Sequence, residues 1–200
     1  MKRRMFLAAG AAAFLLAPHY AQAVSPADAQ QFINSLGDTA ISSLTGSDLS
    51  SAEREKRFQG LLESHFDLPG ICKFVLARYW KVATDDQKAD FSRLFEKLLV
   101  QSYAKTFAEY AGQRFQVTDA KPNDDGSITV NSHIDQTNGD VIHLDWRIED
   151  QDGQLRITDL EVEGVSLRIT HRSDIASAIQ SEGGQVSALL DALRQKTGSQ

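Results

Sequence analysis

The chain has 200 residues, 42% of them hydrophobic, with 21 Lys+Arg against 27 Asp+Glu and a formal charge of −6. That balance argues against a disordered polymer, an integral membrane protein and a nucleic-acid partner, which needs clustered Lys and Arg to neutralise phosphates. A single Cys excludes an internal disulfide framework and a cysteine-cluster metal site, and the length fits one domain with a buried core.

Met1-Lys2-Arg3-Arg4-Met5 is a basic start, Phe6 to Ala17 an apolar run, and Ala21-Gln22-Ala23 a small-residue cleavage pattern. Residues 1–23 therefore read as a secretory signal, too short to span a bilayer, and residues 24–200 as one domain. Arg3-Arg4-Met5-Phe6-Leu7 is also similar to the twin-arginine pattern, so both export routes stay open. Loss of Lys2, Arg3 and Arg4 leaves 18 basic residues against 27 acidic ones, a charge of −9 that anionic lipid surfaces repel. Cys72, with apolar Ile71 and Phe74 nearby, is expected to be buried rather than reactive.

The first half has helical periodicity. Ser25-Pro26 opens a helix with an apolar stripe of Phe32, Ile33, Leu36, Ala40 and Leu44. Ser50 to Glu53 spells a capping box for a second helix carrying Phe58, Leu61 and Leu62. Asp67 caps a third, with Ile71, Phe74, Val75 and Val82 expected inside. Thr84 to Gln87 is another capping box, opening a stripe from Phe91 to Tyr110 that Gly112 ends.

After Gly112 the period changes to two. Alternating runs around Phe115, Ile128–Ile134, Ile142–Ile148 and Leu155–Val162 are separated by turn signals at Asp124-Asp125-Gly126, Asn138-Gly139 and Asp152-Gly153. A phase slip predicts a bulge near Thr158-Asp159. Val165, Leu167 and Ile169 are expected to continue in a strand after Gly164, and Ser173 to cap a final helical section broken at Gly183-Gly184. Helices followed by hairpin-linked strands imply an α+β fold. A twisted antiparallel sheet of about four or five strands would carry N-terminal and C-terminal helices on its apolar face.

The chain offers no nucleophile elbow, P-loop or dinucleotide fingerprint, and His65, His133, His143 and His171 have no metal-ligand spacing. His133 and His143 read as surface neighbours across two strands. An exported enzyme would need a polar cluster such as His143 with Asp145. Large apolar side chains are supplied by helices (Phe74, Leu98, Tyr103, Phe107) and by strands (Val130, Ile134, Ile142, Leu144, Trp146, Ile157). Periodicity alone fits a filled core.

Phe66-Asp67-Leu68-Pro69-Gly70-Ile71-Cys72-Lys73-Phe74-Val75-Leu76-Ala77-Arg78-Tyr79-Trp80 resembles the MlaC, or toluene-tolerance, family. Two further blocks agree in order and spacing: Ala83-Thr84 through Tyr110, and Asp159-Leu160-Glu161-Val162-Glu163-Gly164-Val165-Ser166-Leu167 with Thr170, Arg172-Ser173 and Gly183-Gly184. Ala77 stands where the family usually has Gly, Cys72 where Ala is common, and His171 where Tyr or Gln is common. The resemblance implies a periplasmic phospholipid carrier with lipid as cargo and no cofactor, expected to act as a monomer. Its partners would be an outer-membrane lipoprotein complex and the substrate-binding ring of an inner-membrane ABC transporter, and its role would be to maintain outer-membrane lipid asymmetry. A hopanoid or other hydrophobic ligand is the alternative, and an enzyme the remoter one. About 30 tail carbons at about 0.8 kcal/mol per CH2 make free passage through water cost on the order of 20 kcal/mol, so a carrier must cover the tails. The implied apolar pocket, expected near the top of the usual range of about 300–1,000 Å³, would be lined by the ten side chains above with Val165 and Leu167. Arg78 and Trp80 are read as structural rather than as phosphate-steering.

Overall fold

The computed structural model describes residues 24–198. The expected signal, residues 1–23, lies outside the described residues. Six α-helices and two 3-10 segments surround one five-stranded sheet: α1 (Pro26–Leu44), α2 (Ser51–His65), α3 (Leu68–Leu76), a 3-10 segment (Ala77–Lys81), α4 (Asp85–Tyr103), a second 3-10 segment (Ala104–Glu109), β1 (Arg114–Pro122), β2 (Ile128–Asp135), β3 (Val141–Gln151), β4 (Gln154–Val162), β5 (Val165–Ser166), α5 (Leu167–Ser181) and α6 (Val186–Thr197). No helix among the described residues is long and apolar enough to cross a membrane.

Local chemistry sets the boundaries. Ser25 and Asp28 form a reciprocal capping box with Pro26 in the first turn of α1, and Thr84 and Gln87 do the same for α4. At α2 only half of the expected box forms. The Ser50 hydroxyl accepts from the Glu53 N–H, but the Glu53 carboxylate returns to that hydroxyl and not to the backbone. The Asp67 carboxylate caps α3 by accepting the Gly70 N–H at 3.0 Å.

The sheet is an antiparallel meander in the order β1-β2-β3-β4-β5. Asp152-Gly153 and Glu163-Gly164 are two-residue turns with positive φ at both positions, the geometry whose twist matches a hairpin. The expected bulge is present: Arg147 faces Asp159 and Ile148 faces Ile157, leaving Thr158 without an opposite residue. A second one leaves out Thr118 in β1.

Three local expectations are corrected. Leu167 and Ile169 do not continue a strand: Ser166 caps α5 by accepting the Ile169 N–H at 3.2 Å, so the helix starts there. Ser173 accordingly lies inside α5 and donates back to the Ile169 carbonyl. Val82 is 74% exposed because the 3-10 segment carries it off the inward face of α3.

The buried side chains form two separate cores. One is helical, with Leu62, Ile71, Val75, Phe91, Leu94, Phe95, Leu99, Ile175, Ile179 and Leu189 among its members. The other joins α1 to one half of the sheet through Ala29, Ile33, Leu36, Ile128, Val130, Ile148 and Ile157. A small domain usually has one contiguous core. The division matters for what lies between the two.

Candidate functional site

The inner sheet face carries Phe115 and Val117 of β1, Val130 and Ile134 of β2, Ile142 to Ile148 at alternate positions of β3, and Ile157 and Leu160 of β4. Helix α1 closes the half with Ile128, Val130, Ile148 and Ile157. Over the other half, formed by Phe115, Ile134, Ile142, Leu144, Trp146 and Leu160, the structure leaves a cavity of about 510 Å³. That volume is mid-range, not near the top.

Its walls come from every layer: Leu36, Gly37, Ala40 and Ile41 of α1, Phe58, Leu61 and Leu62 of α2, Leu68 and Ile71 of α3, Phe95, Leu99 and Tyr103 of α4, and Phe107 of the second 3-10 segment. Phe95, Leu99 and Tyr103 recur every four residues, so one stripe of α4 faces the cavity. The rings brace one another. Phe58 and Phe107 have centroids 5.7 Å apart, and Phe115 meets Trp146 edge-on at 6.4 Å. The Trp146 indole N–H donates to the Ser132 hydroxyl at 2.8 Å, which holds the ring at the boundary between the filled and open halves of the sheet. Gly37 is required where α1 passes β1: a Cβ there would lie 2.5 Å from the Phe115 ring.

Polar groups in the wall are few and occur in two places. Thr106, Glu109, Gln113 and Gln136 lie toward the β1 edge. Thr158, Asp159, Arg168 and His171 lie toward the β5 edge. The Tyr103 hydroxyl is 3.1 Å from His171 Nε2, and the His171 ring stands edge-on to Phe95. Burial lowers the His171 pKa and raises that of Tyr103, so both are neutral near pH 7. Among the described residues no group of His, Cys, Asp or Glu is placed to hold a metal ion. This wall can enclose a long apolar chain and offers one cationic contact.

A family model described as MlaC protein matches residues 34–195. The chain belongs to the MlaC family. It is 27% identical over 126 residues to the toluene tolerance protein ttg2D of Pseudomonas putida, covering 62% of this chain and 59% of that protein. It is 29% identical over 97 residues to the intermembrane phospholipid transport system binding protein MlaC of Haemophilus influenzae, covering 46% and 45%. The matches thus span about half the length of these curated relatives. A solved phospholipid-binding protein from Ralstonia solanacearum, in complex with a phospholipid, shares the fold with a TM-score of 0.77 at 22% identity, over 85% of this chain and 97% of that one.

Of the residues that strand phase and helix face assign to the pocket, Tyr103, Phe107, Ile134, Ile142, Leu144, Trp146 and Leu167 line the cavity, Leu167 from the first turn of α5 and not from a strand. Five do not. Val130 and Ile157 have the right sheet face but sit, fully buried, in the half that α1 fills. Leu98 is one helical step off the Phe95–Leu99–Tyr103 stripe and packs on the helical core. Phe74 faces α5, with the guanidinium of Arg168 4.5 Å and that of Arg172 5.1 Å from its ring centroid. Val165 is 56% exposed on the two-residue edge strand.

Arg78 lies outside the cavity, donating to the Tyr79 hydroxyl at 2.8 Å. Trp80 is half-buried against the helical core. His143 and Asp145 alternate with Ile142 and Leu144, so they occupy the outer sheet face, where Asp145 accepts from Asn131 and the His143 and His133 rings are 6.5 Å apart. Cys72 is buried, and burial pushes its thiol up to about 11. The α1 and α2 wall residues were missed because a stripe that faces a cavity has the same period as one that faces a core.

Proposed function

We propose that this protein is a periplasmic phospholipid carrier that holds acyl tails in the cavity and shuttles lipid between an outer-membrane lipoprotein complex and an inner-membrane ABC transporter. In that role it helps maintain outer-membrane lipid asymmetry, and it performs no chemistry on its cargo. The cavity carries this reading: an apolar space of about 510 Å³ lies between two closed cores in a chain of the MlaC family. Water held there would be poorly hydrogen-bonded, whereas each tail CH2 moved in from water gains about 0.8 kcal/mol. The export pattern in residues 1–23 and the inert thiol suit an oxidising compartment.

Transfer between vesicles tests it. Donor vesicles carrying a self-quenched fluorescent phospholipid are mixed with unlabelled acceptors across a dialysis membrane, with and without protein. The carrier reading expects transfer to rise in proportion to protein concentration. Transfer equal to the protein-free control would refute it.

A further inference from the structure

The segment that follows α3 takes no part in the cavity: none of Arg78, Tyr79, Trp80, Lys81 and Val82 lines it. Ala77 ends α3 with φ 51° and ψ −123°, a strained backbone for any residue but Gly. The turn leads into a 3-10 segment none of whose residues is fully buried, and Val82 beyond it is 74% exposed.

This end of α3 is cationic in an acidic chain. From Lys73 to Thr84 the sequence holds Lys73, Arg78 and Lys81 and no Asp or Glu, whereas residues 24–200 carry 18 basic residues against 27 acidic ones. Lys88, Arg93, Arg147, Arg168 and Arg194 each have a carboxylate within ion-pair distance. Among the described residues, Lys73, Arg78 and Lys81 have none. The Arg78 guanidinium lies 4.8 Å from the Tyr79 ring centroid and donates one N–H to the Tyr79 hydroxyl. Lys88 reaches from α4 to 5.9 Å from the Trp80 ring centroid while pairing with Asp85 at 3.0 Å. Asp85 and Asp86 flank the patch, and both lie in the first turn of α4, where the helix dipole favours negative charge. Tyr79 and Trp80 are half-buried, so each keeps part of its ring at the surface beside the unpaired cations.

We infer that this surface, formed by Lys73, Arg78, Tyr79, Trp80, Lys81 and Val82, docks a carboxylate-rich face of a protein partner. Charge complementarity selects the occupant. A planar guanidinium pairs with carboxylates through two parallel hydrogen bonds, and the two free ammonium groups add attraction that steers encounter. Arg, Tyr and Trp are also the side chains that dominate protein–protein binding energy. An anionic membrane fits less well: electrostatic anchoring there uses clusters of about 4–8 Lys/Arg, and the charge of the whole chain opposes approach. The inference gives the carrier a docking surface separate from its cavity, and it rests on the carrier reading for the partner's role.

Fluorescein-labelled decaglutamate is the probe, and fluorescence anisotropy reads its binding to residues 24–200. Because the whole chain is acidic, binding of this probe needs a local cationic patch. Saturable binding is expected at low salt, weakening as salt rises. Lys73→Glu with Lys81→Glu should weaken it about tenfold or more. Lys56→Glu with Lys105→Glu makes the same charge change on exposed lysines elsewhere and should keep binding within about twofold of wild type. Absence of wild-type binding at low salt overturns the inference, and so does an equal loss in the two variants. Sedimentation with phosphatidylglycerol vesicles that Lys73→Glu with Lys81→Glu abolishes would assign the patch to a membrane and also overturn it. Lipid uptake from vesicles, measured beside these, should be equal in all three proteins. Wild type that takes up no lipid refutes the carrier reading, whereas failure of probe binding with uptake intact refutes the inference alone.

Discussion

Leu144→Trp separates an open cavity from a filled core. Leu144 is 8% exposed, sits on β3 opposite Ser132 and Val162, and faces the cavity. In a packed interior the larger ring would cost about 1–3 kcal/mol, and at about 2–4 °C per kcal/mol for a chain of this size the melting temperature would fall by about 2–12 °C. Here about 510 Å³ of space receives the ring, so the lipid-free protein should melt within about 2 °C of wild type. The indole would take the place of about four tail methylenes, worth about 3 kcal/mol, so lipid binding should weaken about a hundredfold. Val130→Trp is the control, since Val130 is on the same sheet face but fully buried in the closed half, and it should lower the melting temperature in full. Thermal unfolding of lipid-free proteins, with vesicle uptake measured beside it, reads both effects. If Leu144→Trp melts as low as Val130→Trp and still binds lipid, the division of the sheet into open and closed halves is wrong.

Ala77 has φ 51° and ψ −123° at the end of α3, a conformation that strains any residue but Gly. Ala77→Gly should stabilise the protein by about 1 kcal/mol, the relief of strain exceeding the added unfolded-state entropy, as read by urea unfolding. Cys72 should not react with Ellman's reagent near pH 8 until the protein unfolds, because its thiol is buried and its pKa raised to about 11. Burial holds the folded pKa of His171 below the ordinary imidazole value. The unfolded chain therefore binds the proton first, and stability should fall as pH drops through about 6.5. His171→Gln should flatten that part of the stability–pH curve, which chemical unfolding between about pH 7.5 and 5 would show.

Much of the fold was legible because its signals are local. Ser25, Asp67 and Thr84 cap helices within three residues of themselves, and the slip at Thr158-Asp159 marks a bulge that one strand reveals alone. Ser166 was harder to read. Its strength as a cap comes from tertiary support, since the Asp159 carboxylate accepts both the Ser166 hydroxyl and the Arg168 N–H. The site was legible by face and not by position along the strand. Val130 and Ile134 share one face of β2, but α1 packs directly on Val130 and leaves the cavity over Ile134. Arg168 carries no sequence signal, because its ion pair with Asp159, its stacking on Phe74 and its place in the cavity wall depend on how β4, α3 and α5 come together.

Native mass spectrometry of residues 24–200, purified without added lipid and followed by identification of what denaturation releases, tests the central claim most directly. The account predicts one diacyl phospholipid per chain. A hopanoid in its place would contradict the assigned cargo. A chain that is empty as purified and stays empty after incubation with phospholipid vesicles would contradict the carrier function itself.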